Sequence, residues 1–264
     1  MTEILKAALF GIVEGVTEWL PVSSTGHLIL LDALVPLGLS RGFGSFFEVA
    51  VQLGAVLAVA VLFARRLNPF RRGALRLWGL VLAAVAPSGV VGALTDDWME
   101  ENLHRPVVVG ICLIAYGVFF LLAEKRRTVP RILRAEETDL STALGMGLFQ
   151  CLSLIPGTSR SGATVLGGLL LGASRTAAAE FSFFMALPTM LGACLIRGGK
   201  LLYAGVPPTG TETAALLTGC TVSFLMSLLV IRALLDYVRS RGFAPFARYR
   251  IGLGLAVLTA ARFR

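Results

Sequence analysis

Long apolar stretches alternate along the chain with short basic segments. A helix needs about 20 apolar residues to cross a hydrocarbon core of roughly 30 Å, so stretches near this length with few charges are predicted transmembrane helices. Six stretches qualify: 46 to 63, 77 to 94, 107 to 123, 177 to 196, 213 to 232 and 250 to 262. The pattern therefore predicts an all-α polytopic membrane protein with six transmembrane helices.

Two further apolar regions, 4 to 36 and 140 to 173, are broken near the middle by polar residues and proline. The breaks read L-P-V-S-S-T-G-H and I-P-G-T-S-R-S-G. Irregular backbone at membrane depth is tolerated only where protein or a watery cavity covers it. Each region is therefore predicted to form a re-entrant hairpin of two half-length helices that enters and leaves on the same side.

The basic residues cluster in three of the segments between apolar stretches, 64 to 76, 124 to 137 and 232 to 250. They are Arg65, Arg66, Arg71, Arg72 and Arg76; Lys125, Arg126, Arg127, Arg131 and Arg134; and Arg232, Arg239, Arg241, Arg248 and Arg250. The positive-inside rule assigns all of these residues to the cytoplasm, which requires six crossings and both termini outside. If either broken region crossed the membrane fully, one basic set would lie on the wrong side.

Composition supports a single integral membrane domain spanning 1 to 264, since 56% of the residues are hydrophobic and only 15% are charged. The net charge of +8 does not indicate nucleic-acid binding, because the basic segments lack interleaved aromatic residues. Membrane lipids are the expected surroundings. The oligomeric state is open, with a homodimer among the options.

The two halves of the chain, about 1 to 130 and 136 to 264, are weakly similar. A shift of 135 residues aligns Trp19 to Thr25 with Leu154 to Arg160, so that Ser24 matches Ser159. Because each half holds one hairpin and three crossings, the second half must be inverted relative to the first. The polar turns of the two hairpins are then expected to meet inside the membrane.

Glu14 and Glu18 are four residues apart and share one face of a helix. Like charges at this spacing repel, so a shared proton, an arginine or a divalent cation is expected beside them. The alternative is a solvated helix face at the membrane edge. Ionisable residues within apolar segments are nevertheless functional by default, and both carboxylates are candidate metal ligands.

The hydroxyl groups of Ser23, Ser24 and Thr25 follow Pro21 and can either cap the next half-helix or bind an anion at its N-terminus. The second hairpin repeats this arrangement with Ser159 and Ser161 on either side of an arginine.

That arginine, Arg160, is suited to binding phosphate through two parallel hydrogen bonds. The alternative is a structural ion pair between Arg160 and either Glu14 or Glu18.

His27 lies close to the carboxylates and hydroxyls in sequence, and together they can supply a nucleophile, its base or a general acid. His104 is expected at the surface, and the sequence lacks the ligands of a zinc site. Glu48, Gln52 and Glu180 are weaker candidates, for which an interfacial charge or a helix–helix hydrogen bond is the favoured interpretation.

Four sequence segments identify a resemblance to a known family. They are the two acids four apart leading into W-L-P-x-S-S-T-G-H (Glu14 to His27), P-G-x-S-R-S-x-x-T (Pro156 to Thr164), F-E-V-x-x-Q-L-G (Phe47 to Gly54) and E-F-S-F-x-x-A-x-P (Glu180 to Pro188). The chain resembles the bacterial undecaprenyl-diphosphate phosphatases of the bacitracin-resistance type over nearly its whole length.

The resemblance implies hydrolysis of undecaprenyl diphosphate to the monophosphate carrier lipid of peptidoglycan synthesis, at a site that faces the periplasm. It also implies a divalent cation, magnesium or calcium. Carried over by position, Glu14 and Glu18 are catalytic or metal-binding residues in this family. The nucleophile or the acid–base group is then among Ser24 and His27. The residues implied to hold the phosphate are Arg160, Ser23, Thr25, Ser159, Ser161 and Thr164.

Two alternatives are weighed against this function. The type-2 phosphatidic acid phosphatases share a serine–arginine pair, but their second histidine would fall at Leu166, so that family is disfavoured. A transporter or flippase for a phosphorylated lipid fits the inverted repeat, although anion transport has little use for two carboxylates beside a phosphate. An enzyme that also moves its product across the bilayer remains a hypothesis supported only by the repeat.

Overall fold

The computed structural model describes residues 1–103, 105–125, 129–205 and 207–262, and for residues 41, 96, 97, 100 and 262 the backbone alone. His104, Arg126 and Arg127 lie outside the described residues. Eleven α-helices are described: α1 (Glu3–Thr17), α2 (Ser24–Leu34), α3 (Arg41–Leu62), α4 (Ala64–Leu67), α5 (Ala74–Leu103), α6 (Pro106–Lys125), α7 (Leu140–Leu152), α8 (Arg160–Leu170), α9 (Arg175–Tyr203), α10 (Gly210–Arg241) and α11 (Ala244–Arg262).

Among the described residues, five helices are long and apolar enough to cross a membrane, and they coincide with five of the six predicted stretches. These spans are Gly42–Leu62, Ala74–Thr95, Pro106–Lys125, Arg175–Tyr203 and Gly210–Arg241. The sixth predicted stretch lies in α11, a helix of 19 residues that is not among the five. It begins at Ala244 rather than at residue 250, and Arg248 and Arg250 lower the apolar character of its first turns. The chain is therefore an all-helical, polytopic integral membrane protein in the described ranges.

Both broken regions form the predicted pairs of half-length helices. α1 and α2 pack against each other and are joined by a turn that contains Pro21, and α7 and α8 are joined in the same way around Pro156. The missing N–H and fixed φ of proline end the first half-helix, and serine side chains begin the second. The re-entrant insertion of each hairpin, and the side from which it enters the membrane, stay predictions.

The packing of the first half of the chain has a counterpart in the second half. α1 packs against α10 and α7 against α5, while α2 packs against α11 and α8 against α6. The pairs α3–α9 and α6–α11 join equivalent helices of the two halves. Each hairpin is therefore held by long helices of the opposite half.

The predicted alignment of the halves is wrong by one residue. It matched Ser24 with Ser159, whereas the residues that cap α2 and α8 are Ser23 and Ser159. The second helix of each hairpin begins at its serine cap and not at a fixed distance from the preceding L-P or I-P dipeptide. The segment from Pro156 to Ser159 is one residue longer than the segment from Pro21 to Ser23. Ser24 therefore corresponds to Arg160, the first residue of α8.

Small residues allow close contact where α1 crosses α10. A Cβ atom on Gly15 would lie 2.5 Å from the Ser223 carbonyl oxygen, and one on Gly11 would lie equally close to the Gly219 carbonyl oxygen. Within a membrane the hydrophobic effect does not drive helices together, because the lipid tails are themselves apolar. Close packing at small residues is one of the interactions that hold the helices instead. They fix the position of α1, which carries Glu14.

The basic segment after α3 is held by ion pairs. Arg66 binds Glu136 at 2.5 Å and Glu180 at 2.8 Å, and its guanidinium group lies over the ring of Phe63. The Glu180 carboxylate thus has a charged partner in Arg66, and its interpretation as an interfacial charge stays a prediction.

Candidate active site

The two hairpin turns end in serine residues with the same unusual backbone. Ser23 has φ 71° and Ser159 has φ 72°. Their hydroxyl oxygens accept hydrogen bonds from the N–H groups of Gly26 (3.4 Å) and Gly162 (3.1 Å), respectively. The caps begin α2 at Ser24 and α8 at Arg160, so these two side chains emerge where the turns end. Ser23 and Ser159 are thus confirmed as caps, and their predicted contact with substrate stays a prediction.

A buried ion pair joins the two hairpins. The Arg160 Nε and Nη2 atoms donate to Glu18 Oε1 at 3.1 and 3.0 Å, and Arg160 Nη1 donates to the Ser182 carbonyl oxygen at 2.9 Å. Both side chains are more than nine-tenths buried. Buried charges are tolerated when they are paired and further hydrogen-bonded, as here. Arginine has five N–H groups, so Arg160 keeps two N–H groups beyond these three bonds.

Glu18 also receives a hydrogen bond from the candidate nucleophile. The Ser24 hydroxyl group donates to Glu18 Oε2 at 3.0 Å, and both residues are buried. This distance is within the range expected for a nucleophile and its general base. One carboxylate therefore contacts the serine of the first hairpin and the arginine of the second.

The hydroxyl groups of Ser161 and Thr164 are used within the protein. Ser161 Oγ donates to the carbonyl oxygens of Glu18 (2.8 Å) and Leu20 (3.2 Å). Thr164 Oγ1 shares a hydrogen bond of 2.6 Å with Ser182 Oγ and donates to the Arg160 carbonyl oxygen at 2.9 Å. These bonds hold the first turn and α9 against the N-terminal end of α8, around the ion pair.

Glu14 lies in the same region without a hydrogen-bond partner among the described residues. It is fully buried, neither carboxylate oxygen is bonded, and Glu18, Glu48 and Arg160 are its electrostatic neighbours. A buried, unbonded carboxylate is strongly disfavoured unless it binds a proton or a cation. The described part of the chain contains no group of three or more Asp, Glu, His or Cys side chains arranged to hold a metal ion. The two unbonded oxygen atoms of Glu14 are compatible with either a proton or a cation, so the cation predicted at Glu14 and Glu18 stays a prediction.

His27 faces α11 rather than the ion pair. Its Nδ1 atom lies 2.8 Å from the Ser23 carbonyl oxygen and its Nε2 atom 2.7 Å from the Tyr249 hydroxyl, with the two rings nearly parallel. In the described ranges no hydrogen bond joins His27 to Glu18, Ser24 or Arg160. Thr25 is half-buried at the start of α2, and its predicted role also stays a prediction.

Arg250 is the residue that the sequence interpretation missed. It was assigned to a cytoplasmic loop, but it is fully buried in α11 and donates to the carbonyl oxygens of Pro21, Gly157 and Thr158 in the two turns. The assignment was wrong because charge counting treats every arginine near the end of an apolar stretch as topogenic. The sequence did contain one indication of burial, because Arg250 is also the first residue of the last predicted crossing, 250 to 262.

The second hairpin has a neutral residue where the first has Glu14. Gln150 is buried in α7 and donates to the hydroxyl oxygens of Ser88 (2.6 Å) and Thr189 (3.1 Å). Since α7 packs on α5 as α1 packs on α10, Gln150 and Glu14 occupy comparable positions on the first helix of each hairpin. Of the two hairpins, only the first therefore contributes carboxylates to this region, and the neighbouring Glu48 belongs to α3.

Known proteins match this chain over most of its length. The model of the family described as bacitracin resistance protein BacA matches residues 7–256. An undecaprenyl-diphosphatase of Lacticaseibacillus casei (strain BL23) is 47% identical over 267 residues, covering 98% of both chains. Undecaprenyl-diphosphatase 1 of Clostridioides difficile (strain 630) is 48% identical over 266 residues, covering 98% of this chain and 96% of the relative. An undecaprenyl-diphosphatase of Enterococcus faecalis is 47% identical over 268 residues, covering 97% of this chain and 96% of the relative.

Proposed function

The chain belongs to the bacitracin resistance protein BacA family, and on that basis we propose that it hydrolyses undecaprenyl diphosphate to undecaprenyl phosphate and inorganic phosphate. The near-complete coverage of relatives named undecaprenyl-diphosphatase supports this activity for the whole chain. The product is the lipid carrier of peptidoglycan synthesis, so the reaction recycles the carrier. The family is named for bacitracin resistance, which is the phenotype expected of this activity.

The observation that carries the proposal is the contact of Ser24 and Arg160 with the two oxygen atoms of Glu18. Ser24 attacks the terminal phosphorus atom, and its hydroxyl proton passes to Glu18. The bond between that phosphorus and the bridging oxygen breaks, and undecaprenyl phosphate leaves with the electron pair. Water then hydrolyses the serine phosphate and restores the hydroxyl group.

Arg160 supplies positive charge to the transferring phosphoryl group through the two N–H groups that have no partner among the described residues. Phosphoryl transfer depends mainly on positioning and on neutralising negative charge, so a fixed guanidinium group in a buried site is well suited to it. The backbone N–H groups at the start of α2 and α8 offer further donors. Ser23, Thr25, Ser159, Ser161 and Thr164 line or support these two helix starts and are the proposed phosphate-binding residues.

A divalent cation, magnesium or calcium, is held in this proposal by Glu14 and Glu18. When bound, it neutralises negative charge on the diphosphate. Glu14 is the better-supported ligand because both of its oxygen atoms are free of hydrogen bonds in the described structure, whereas both Glu18 oxygens are engaged. His27, hydrogen-bonded to Tyr249, is the proposed general acid for the leaving phosphate if its ring turns toward Ser24.

The arrangement in the membrane extends the same proposal. Two re-entrant hairpins, α1–α2 and α7–α8, dip from opposite sides of the bacterial cytoplasmic membrane, and six crossings form an inverted repeat around them. The matched packing of α1 on α10 and α7 on α5, and the matched caps Ser23 and Ser159, support this repeat. The site faces the periplasm, where the first hairpin opens if both termini lie outside.

The test is phosphate release by the purified protein in detergent with undecaprenyl or farnesyl diphosphate and magnesium or calcium. Wild type is expected to release phosphate, and Ser24→Ala, Glu18→Gln and Arg160→Lys are each expected to lose at least about 10²-fold in kcat. Ser240→Ala, at an exposed hydroxyl on α10, and Arg239→Lys, at an exposed arginine, are matched controls that should keep full activity. An inactive wild type would contradict the proposal and favour transport, whereas full activity of the three site variants would contradict the proposed roles of Ser24, Glu18 and Arg160.

A further inference from the structure

Arg250 contacts both hairpin turns at once. Its Nη1 atom donates to the Pro21 carbonyl oxygen at 3.1 Å, and its Nη2 atom donates to the carbonyl oxygens of Gly157 (2.8 Å) and Thr158 (2.6 Å). Pro21 lies two residues before the cap Ser23, and Thr158 directly precedes the cap Ser159. Arg250 therefore fixes the distance between the two turns just before each serine cap.

The surroundings of Arg250 show that the chain makes room for it. A Cβ atom on Gly162, in the first turn of α8, would lie 2.6 Å from Arg250 Nη1. The guanidinium carbon lies 5.6 Å from the centre of the Tyr116 ring, an arrangement in which the ring stabilises the cation. Fully buried arginine is rare, and the described part of the chain gives Arg250 no carboxylate within ion-pair distance. Backbone carbonyl dipoles and the Tyr116 ring thus hold the charge.

The contacts of Arg250 lead directly to the residues of the proposed reaction. The first turn joins Glu18 to Ser24, and the second turn ends at Arg160. The hydrogen bonds from Arg160 Nε and Nη2 to Glu18 Oε1, at 3.1 and 3.0 Å, join the two hairpins and therefore require the two turns to keep their separation. A shift of about 1 Å in such a site is enough to reduce catalysis by 10²-fold.

We propose that Arg250 is a positioning residue for this phosphatase: it joins the turns of the two hairpins and thereby sets Ser24 and Glu18 against Arg160. It does not contact the substrate in this proposal. The inference rests on the proposed function for its catalytic part, while the joining of the turns stands on the hydrogen bonds alone.

The first experiment measures backbone hydrogen exchange of the full-length protein in detergent, which needs no activity. Arg250→Met is expected to increase exchange in both turns, residues 18–23 and 153–159, relative to wild type. Arg248→Met, at an exposed arginine two residues away on α11, is the matched control and should change neither turn. Unchanged exchange in both turns of a folded Arg250→Met variant would overturn the proposal.

The second experiment uses kinetics to separate positioning from general destabilisation. Arg250→Met is expected to lower kcat about 10²-fold with KM within about twofold, and Arg250→Lys to recover part of the loss, because the ammonium group can still bond a carbonyl oxygen. Combined with Ser24→Ala, Arg250→Met should add little to the loss, since both changes affect one step. Losses that multiply, or a kcat within twofold of wild type, would contradict the positioning role. If wild type itself releases no phosphate, the proposed function fails while the exchange result still decides whether Arg250 joins the turns.

Gly162→Ala provides a variant that keeps Arg250 in case Arg250→Met does not fold. Its added methyl group would displace the end of the Arg250 side chain, so kcat should fall at nearly constant KM. In the Arg250→Lys background, where the shorter side chain avoids the methyl group, Gly162→Ala should cause a smaller loss. An equal loss in both backgrounds would show that Gly162 acts independently of Arg250.

Discussion

Ser23 and Ser159 adopt the same backbone conformation, φ 71° and φ 72°, and each caps the second helix of its hairpin. In the described ranges they are the only residues other than glycine with positive φ. Serine is retained there although glycine would fit the backbone more easily, because the hydroxyl group satisfies an N–H group at the helix start. The two turns thus store strain at equivalent points beside the candidate site.

Replacing Ser23 by glycine or by alanine distinguishes the effect of backbone strain on stability from the effect of the cap hydrogen bond. Ser23→Ala keeps the strain and loses the cap, so it should lower the free energy of unfolding by about 1 kcal/mol, whereas Ser23→Gly relieves the strain and should equal or exceed wild type. The same order is expected at Ser159, measured by thermal unfolding in detergent. Ser174, which caps α9 with φ −65°, is the control at which glycine should bring no gain. A gain at Ser174 equal to that at Ser23 would contradict the strain argument.

The hairpins and most of the candidate residues could be predicted from the sequence because they depend on local signals. Proline in an apolar stretch ends a helix, and the S-S-T-G-H and T-S-R-S-G segments start the next one. The pairing of Glu18 with Arg160 was predicted as one of two alternatives, and only the structure decides between Glu14 and Glu18 as the partner.

The role of Arg250 and the direction of His27 could not be predicted, because both depend on packing of α11 against the turns. Arg250 bonds carbonyl groups, which every residue carries, so no partner residue marks its position in the sequence. The one-residue error in aligning the halves has a similar origin. The conformations of Ser23 and Ser159, which define the alignment, are not encoded by residue type alone.

The free carboxylate of Glu14 predicts that a divalent cation stabilises the protein. A ligand that binds only the folded state stabilises it by RT ln(1 + [L]/Kd), about 2.7 kcal/mol at 100 times Kd. Magnesium or calcium should therefore raise the thermal midpoint of wild type, and much less that of Glu14→Gln, which cannot bind the cation through a carboxylate. Glu101→Gln, at an exposed glutamate on α5, should respond as wild type does. An equal increase in Glu14→Gln would show that the cation binds elsewhere.

The close contact of α1 with α10 predicts opposite effects for two glycine substitutions. Gly15→Ala would bring a methyl group to 2.5 Å from the Ser223 carbonyl oxygen, a backbone atom that cannot move cheaply. It should lower the free energy of unfolding by about 1–3 kcal/mol and reduce activity, because the adjacent Glu14 shifts with α1. Gly79→Ala, within α5 and with no atom within 4 Å of the added Cβ, should be neutral or stabilise by up to about 1 kcal/mol. Thermal unfolding and phosphate release of both variants test the contrast, which would be refuted if Gly15→Ala were as stable as Gly79→Ala.

The ion pair of Arg66 with Glu136, outside the membrane spans, predicts a loss of stability in acid. Burial alone would raise the pKa of Glu136, but the hydrogen bond and charge of Arg66 outweigh it and hold the pKa below its usual value. A carboxyl group with a lowered pKa in the folded state stabilises the protein above its unfolded pKa, about 4.3, and loses this effect as the pH falls through its folded pKa. Glu136→Gln should therefore be less stable than wild type at pH 7, and the difference should shrink as the pH is lowered from about 5 to 3. Thermal midpoints across this range measure it, and a difference that stays constant with pH would show that the Arg66–Glu136 pair contributes no pH-dependent stability.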